Sequence, residues 1–325
     1  MINSQCEAIV LRETQASGIL NVSHIQDLWS GYGVINKIAL KGGNVASVIV
    51  KHVKPPTQSN HPRGWNSDFS HQRKIKSYHV ESNWYENYSA LCTENHKVPK
   101  LIAKEVTDSE FLFVLEDLDS LGYEKRCHEL NQTGIDSCLK WLASFHANFM
   151  HTDPLGLWKE GSYWHLETRP EEFKTLKDKD LIKAAPLWDS QLKKCKYNTL
   201  IHGDAKTANF CFSNDLTKVS AVDFQYVGGG CGMKDLAYFM SSCLDEQGCE
   251  QHETEILAKY FDYLKISLQS SNNSINFIEL EDEWRKLFPI AWCDFLRFLK
   301  GWSPTHWKIN TYSDKLLRIA LKNIK

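Results

Sequence analysis

The sequence changes its periodicity once, and that change constrains the fold more than any other feature. Up to about residue 117 the apolar residues fall in short β-branched runs. Beyond it they recur mostly at three-to-four spacing. Gly31-Tyr32-Gly33 precedes the strand-like Val34–Leu40, Gly42-Gly43-Asn44 reads as a hairpin turn, and Val45–Lys51 is a second β-branched run. A polar, proline-containing stretch from Lys54 to Lys76 reads as a loop and Ser77–Leu91 as a helix. Val98–Ala103 and Glu110–Leu115 complete a small sheet, and Glu116-Asp117-Leu118 follows as a hinge. After it the spacing predicts helices over Asp136–Phe149, Asp235–Cys243, Glu253–Leu268 and Trp284–Lys300. Short strand signals flank Leu200–Asn209 and Val219–Phe224. The expectation is an α+β protein: a small β-rich N-terminal lobe, residues 1–117, and a larger, mainly helical C-terminal lobe, residues 118–325.

Composition removes several function classes. The 325 residues carry 38 Lys+Arg against 40 Asp+Glu, a formal charge of −2. No global field draws the chain to nucleic acid or an anionic membrane, so neither is expected as a partner. No run approaches the ~20 apolar residues of a membrane span. Met1–Thr14, with Glu7, Arg12 and Glu13, lacks the pattern of a secretory signal, and a cytoplasmic location is expected. The ten cysteines include no C-x-x-C pair, so reduced thiols are expected ahead of a disulfide framework or a zinc site. Nothing in the sequence sets the oligomeric state.

The chemistry concentrates in Leu200–Phe210. Its skeleton, His202-x-Asp204-x-Lys206-x-x-Asn209, is followed 14 positions after Asn209 by Asp223 within Val222-Asp223-Phe224. Phosphoryl transfer needs a carboxylate beside the acceptor hydroxyl, together with Asn and Asp oxygens for Mg²⁺. Asp and Asn are also ordinary loop residues, but here two segments match in order and spacing.

On these residues the chain resembles the kinase-like phosphotransferase superfamily. Within it, the chain is similar to the aminoglycoside phosphotransferase and choline kinase group, and above all to ecdysteroid-kinase-like proteins. His202-Gly203-Asp204 stands where protein kinases carry His-Arg-Asp, and the resemblance spans roughly Ile25 to Trp302. It implies a bilobal protein-kinase-like fold and an ATP- and Mg²⁺-dependent transfer of the γ-phosphate to a hydroxyl of a small molecule. Asp204 would be the base, Asn209 and Asp223 the metal ligands, and Lys206 a cation near the transferring phosphate or else a solvated loop lysine. Lys51 would hold the ATP phosphates and pair with Glu81, with Glu86 as the competing partner. Gly31 and Gly33 would cover the nucleotide or simply form a turn. Backbone at Glu116, Asp117 and Leu118 would meet adenine, with ATP lying between the lobes.

Other segments are open to two readings. Gly228-Gly229-Gly230-Cys231-Gly232 fails as a dinucleotide fingerprint, with Met233 or Asp235 where a third glycine belongs, and is read as a short, flexible activation segment. Asp235 is expected to brace the catalytic loop, to cap a helix, or both. Trp284, Phe288, Trp292, Phe295, Phe298, Trp302 and Trp307 could box an ammonium group, but a core face is favoured for most of them. Asp294 is a candidate acceptor contact. The loops around Trp65 and Trp164 are read as lids or as chance surface loops. Gln225 after Phe224 and the missing Ala-Pro-Glu count against a protein substrate. A nucleotide-binding pseudokinase scaffold is the alternative function. The acceptor itself cannot be named from the sequence.

Overall fold

The computed structural model describes residues 2–55, 68–107, 110–270 and 275–322. These form two compact units, one of residues 1–91 and 98–125 and the other of residues 92–97 and 126–325.

The first unit is built on a five-stranded antiparallel sheet in the order β1-β2-β3-β5-β4. Its strands are β1 (Gly18–Asp27), β2 (Gly33–Lys41), β3 (Ser47–Val53), β4 (Leu101–Val106) and β5 (Phe111–Glu116). The central strands β3 and β5 pair from Val48↔Glu116 to Val53↔Phe111. Their near-continuous burial explains why they read as unbroken apolar runs rather than as alternating ones. The edge strand β1 is mostly exposed and mixes polar residues with Ile19, Leu20, Val22 and Ile25 without a strand-like run. Helix α1 (Ser4–Thr14) places Cys6, Ile9 and Val10 in a cluster with Ile38, Leu40, Val48, Val50 and Val114. Helix α2 (Asp68–Asn87) begins nine residues before the expected start at Ser77. Its first turns are polar and exposed or half-buried, which is why they resemble loop; fully buried positions begin at Ser77.

The second unit is mainly helical: α3 (Gln132–Asn148), α4 (Pro170–Thr175), α5 (Lys179–Lys193), α6 (Met233–Cys243), α7 (Glu246–Ser270), α8 (Phe277–Trp302) and α9 (Thr311–Lys322). Two small antiparallel ribbons interrupt the helices. Strand β6 (Thr199–Ile201) pairs with β9 (Gly228–Gly230), and β7 (Phe210–Phe212) with β8 (Val219–Ala221). The glycine run is therefore a paired strand and not a flexible segment. A Cβ at Gly228 would lie 2.1 Å from the Trp158 carbonyl oxygen, so close backbone approach explains the glycine there.

The late aromatic residues are largely core. Phe295, Phe298 and Leu299 of α8 cluster with Trp164 and Tyr238, while Trp284 lies in parallel over Tyr260 and donates to the Tyr197 carbonyl. Trp164 is fully buried and donates to Asp294, whose other oxygen takes Arg297. Neither a lid at Trp164 nor a surface loop survives this, and Asp294 is engaged within the core. The segment around Trp65 lies outside the described residues. All ten cysteines are free thiols. Among the described residues no helix is long and apolar enough to cross a membrane.

Phe113 on β5 is fully buried and packs 6.1 Å from the Tyr85 ring of α2. Phe113→Ala is expected to destabilise this unit by about 3–5 kcal/mol, measured as a lowered unfolding midpoint in urea.

Candidate functional site

Strand β6 delivers the chain into the loop His202–Asn209, and the next peptides hang from one carboxylate. Asp235, in the first turn of α6 and fully buried, accepts the His202 N–H through Oδ2 at 2.6 Å and the Gly203 N–H through Oδ1 at 2.9 Å. His146 Nε2 lies 3.2 Å from the same Oδ2, and Tyr260 closes the relay 2.7 Å from His146 Nδ1. Asp235 thus braces the loop; the N-cap position itself belongs to Gly232.

Gly203 sits at φ +77°, and a Cβ there would lie 2.1 Å from the Tyr226 carbonyl oxygen. Only glycine fits. His202 then accepts the Asp204 N–H at Nδ1 (3.2 Å) and meets the Val222 carbonyl at Nε2 (3.0 Å), which assigns the proton to Nε2. Thr207 fastens the far side of the loop to Ser242 of α6.

The polar groups converge on Asp204. Its Oδ2 takes Lys206 Nζ and Asn209 Nδ2, each at 3.0 Å. The Asp204 carbonyl takes Asn209 Nδ2 as well, at 2.8 Å. Asp204 Oδ1 is buried and accepts no hydrogen bond among the described residues. Because both Asn209 contacts use its nitrogen, the amide is oriented and its oxygen is directed elsewhere. The Asp204 charge, with that of Asp223 in support, holds the Lys206 ammonium above its usual pKa.

Asp223 follows β8 at φ +70°, a conformation uncommon outside glycine, and its Oδ1 accepts Gln225 Nε2 at 2.6 Å. The Val222 N–H to Asn209 carbonyl bond, 2.9 Å, ties the two segments together. An oriented amide oxygen and a half-buried carboxylate are hard donors of the kind Mg²⁺ accepts when water and phosphate complete its shell. The residues present fit that ion.

In the first unit Lys51 and Glu81 form a buried ion pair, with Nζ 2.7 Å from each carboxylate oxygen. The competitor Glu86 instead meets Lys104. Gly31 and Gly33 lie in the β1–β2 turn, at φ +74° and +139°. A Cβ on Gly33 would strike the His52 carbonyl. Glu116 ends β5, and buried Asp117 binds Ser47, Lys37 and the Asp119 N–H. The Asp117 and Leu118 carbonyls already accept the Ser120 and Tyr123 N–H groups.

The sequence reading gave no site role to groups that the fold brings to Asp204 and Asp223, among them Gln225 and Lys308. Buried Gln225 orients Asp223, and Lys308 lies near enough for the Asp204 charge to act on it. No spacing signal marks Lys308, which stands alone in the 303–310 connection between α8 and α9.

With this geometry in place, comparison with known proteins is informative. The ecdysteroid kinase-like family model matches residues 158–273, the span holding His202–Asn209, Asp223 and Asp235. Among solved structures, Plasmodium vivax ethanolamine kinase aligns over 98% of this chain and 89% of its own, at 11% identity and a TM-score of 0.52. A microcompartment-associated aminopropanol kinase aligns over 96% of this chain and 93% of its own, at 13% identity and a TM-score of 0.48. No curated protein sequence matches the chain. The resemblance read from the catalytic loop is borne out: the chain has the α+β fold of a small-molecule kinase, and its segment 158–273 carries the sequence pattern of the ecdysteroid kinase-like family.

Proposed function

We propose that the protein is an ATP- and Mg²⁺-dependent phosphotransferase whose acceptor is the hydroxyl of a small molecule. The observation that carries this reading is the buried Oδ1 of Asp204, which accepts no hydrogen bond among the described residues, although the Tyr238 phenol lies nearby, while Oδ2 is held by Lys206 and Asn209. A buried acceptor without a donor is unfavourable unless a substrate supplies one, and a hydroxyl does so.

In this mechanism Asp204 Oδ1 receives the acceptor's proton as its oxygen bonds to the γ-phosphorus, and the bond to the ADP oxygen breaks in line. Lys206 offsets charge on the transferring group. Asn209 Oδ1 and Asp223 would hold Mg²⁺, which when bound neutralises phosphate charge. Lys51, held straight by Glu81, takes phosphate oxygens. The turn at Gly31 and Gly33 lies over the nucleotide, and the Glu116–Leu118 segment serves adenine through backbone groups other than the Asp117 and Leu118 carbonyls, which are already bonded. Residues 1–117 would thus handle the nucleotide, and residues 118–325 would supply the catalytic loop, metal donors and acceptor contacts. Gln225, in place of a glycine, ties down Asp223 and suits a fixed metabolite site better than a regulated protein-kinase segment.

Three variants test this reading. With Mg-ATP and a panel of alcohols, Asp204→Ala is expected to lower kcat by about 10²–10⁴-fold. Unchanged turnover would remove Asp204 from the chemistry, and ATP binding with no acceptor consumed by the wild type would return the chain to a pseudokinase scaffold. Gly203→Ala should keep the fold while displacing the loop, with a loss of about 10²-fold in kcat. Lys51→Met leaves Glu81 buried without its ammonium partner. It is expected to cost about 3–5 kcal/mol of stability, read by denaturant titration, and to weaken nucleotide binding, read by calorimetry.

A further inference from the structure

Lys308 reaches back from the α8–α9 connection toward the catalytic loop and is surrounded by aromatic faces. Its ammonium lies 5.1 Å from the Tyr238 ring centroid, 5.4 Å from Phe295 and 5.5 Å from Trp307. Its one hydrogen bond is a long 3.3 Å contact to Ser241 Oγ, and among the described residues it makes no ion pair. Burial pushes its pKa down to about 8, with the negative charge of Asp204 among the opposing influences. Beside it Tyr238 bonds to Tyr163, and burial with Asp204 nearby keeps both phenols protonated.

Three rings around a positive charge make a cation site. Here the chain's own lysine fills it. A substrate ammonium would have to displace that lysine or tolerate a like charge within a few ångströms. An anion, by contrast, would supply the partner that Lys308 lacks.

Resting on the phosphotransferase reading above, we propose that Lys308 is a specificity-determining residue. It selects an acceptor alcohol bearing a carboxylate or similar oxygen anion and rejects alcohols bearing an ammonium group. The acceptor's hydroxyl would meet Asp204 Oδ1, and its anionic group would meet Lys308 along the face formed by Tyr163 and Tyr238.

The test compares matched short-chain alcohols, hydroxycarboxylates against their trimethylammonium counterparts. Binding is followed by Trp307 fluorescence, with Trp307→Phe as the control that assigns the signal, and turnover is followed with Mg-ATP. The wild type should bind the carboxylate series at least about tenfold more tightly. Lys308→Met should erase that ratio, Lys308→Arg should keep it, and neither should change the KM for ATP. The same ratio in wild type and Lys308→Met would overturn the proposal, whether or not any alcohol is phosphorylated. So would a Lys308→Met effect confined to ATP, which would make the lysine a phosphate contact. A preserved ratio with no phosphate transfer would uphold the selectivity and sink the kinase reading, so the two failures are distinguishable.

Discussion

The catalytic loop depends on Asp235. Its two oxygens take the amides of His202 and Gly203, so two successive peptide planes are set by one rigid side chain at the start of α6. A fully buried carboxylate is stable only when its charge is met by hydrogen bonds, and these two N–H groups together with the His146 ring meet it. The same constraint explains the glycine at the centre of His-Gly-Asp. Asp235 draws the loop inward until the Gly203 α-carbon lies against the Tyr226 carbonyl, and any side chain would collide there. An arginine of the protein-kinase type cannot occupy this position in this fold. The departure from the protein-kinase pattern therefore has a local steric cause, in the packing of residues 202–203 against residue 226.

Held in this way, the loop makes a directional site from ordinary residues. Asn209 uses its nitrogen twice on Asp204, which fixes the amide. Gln225 does the converse for Asp223, donating to one carboxylate oxygen. The oxygens that the proposed function assigns to a divalent ion are thus each oriented by a hydrogen bond on another atom of the same group, as supporting contacts do in metal sites generally.

The sequence disclosed elements whose residue types had a local reason. Strands β2, β3, β4 and β5 carry β-branched or apolar runs, and the spacing of the loop motif lets Asp204 and the Asn209 amide meet across one turn. Elements determined by long-range packing stayed hidden. Strand β1 is a mostly exposed edge that mixes polar residues with Ile19, Leu20, Val22 and Ile25, and in β9 a Cβ at Gly228 or Gly229 would meet the Trp158 or Lys159 carbonyl. Trp164 sits in a stretch that reads as a loop, yet Asp294 and Arg297 from α8 bury it completely. Lys308 lies outside any periodic segment, and only the fold brings it toward residue 204.

The charges near the transfer position point the same way as the motif. Asp204 and Asp223 contribute two negative charges, and Lys206 and Lys308 contribute two positive ones, so these four charges balance. The whole-chain balance of 38 basic and 40 acidic residues repeats that neutrality on a larger scale. On the kinase reading proposed above, such a balance leaves no surplus with which to hold a triphosphate. On the proposed function, the extra positive charge would arrive with the nucleotide, as its metal, since Lys51 is already paired with the Glu81 carboxylate. In electrostatic terms, a nucleotide and its cation would then bind in a coupled way, with each carrying the charge that makes the other's arrival favourable.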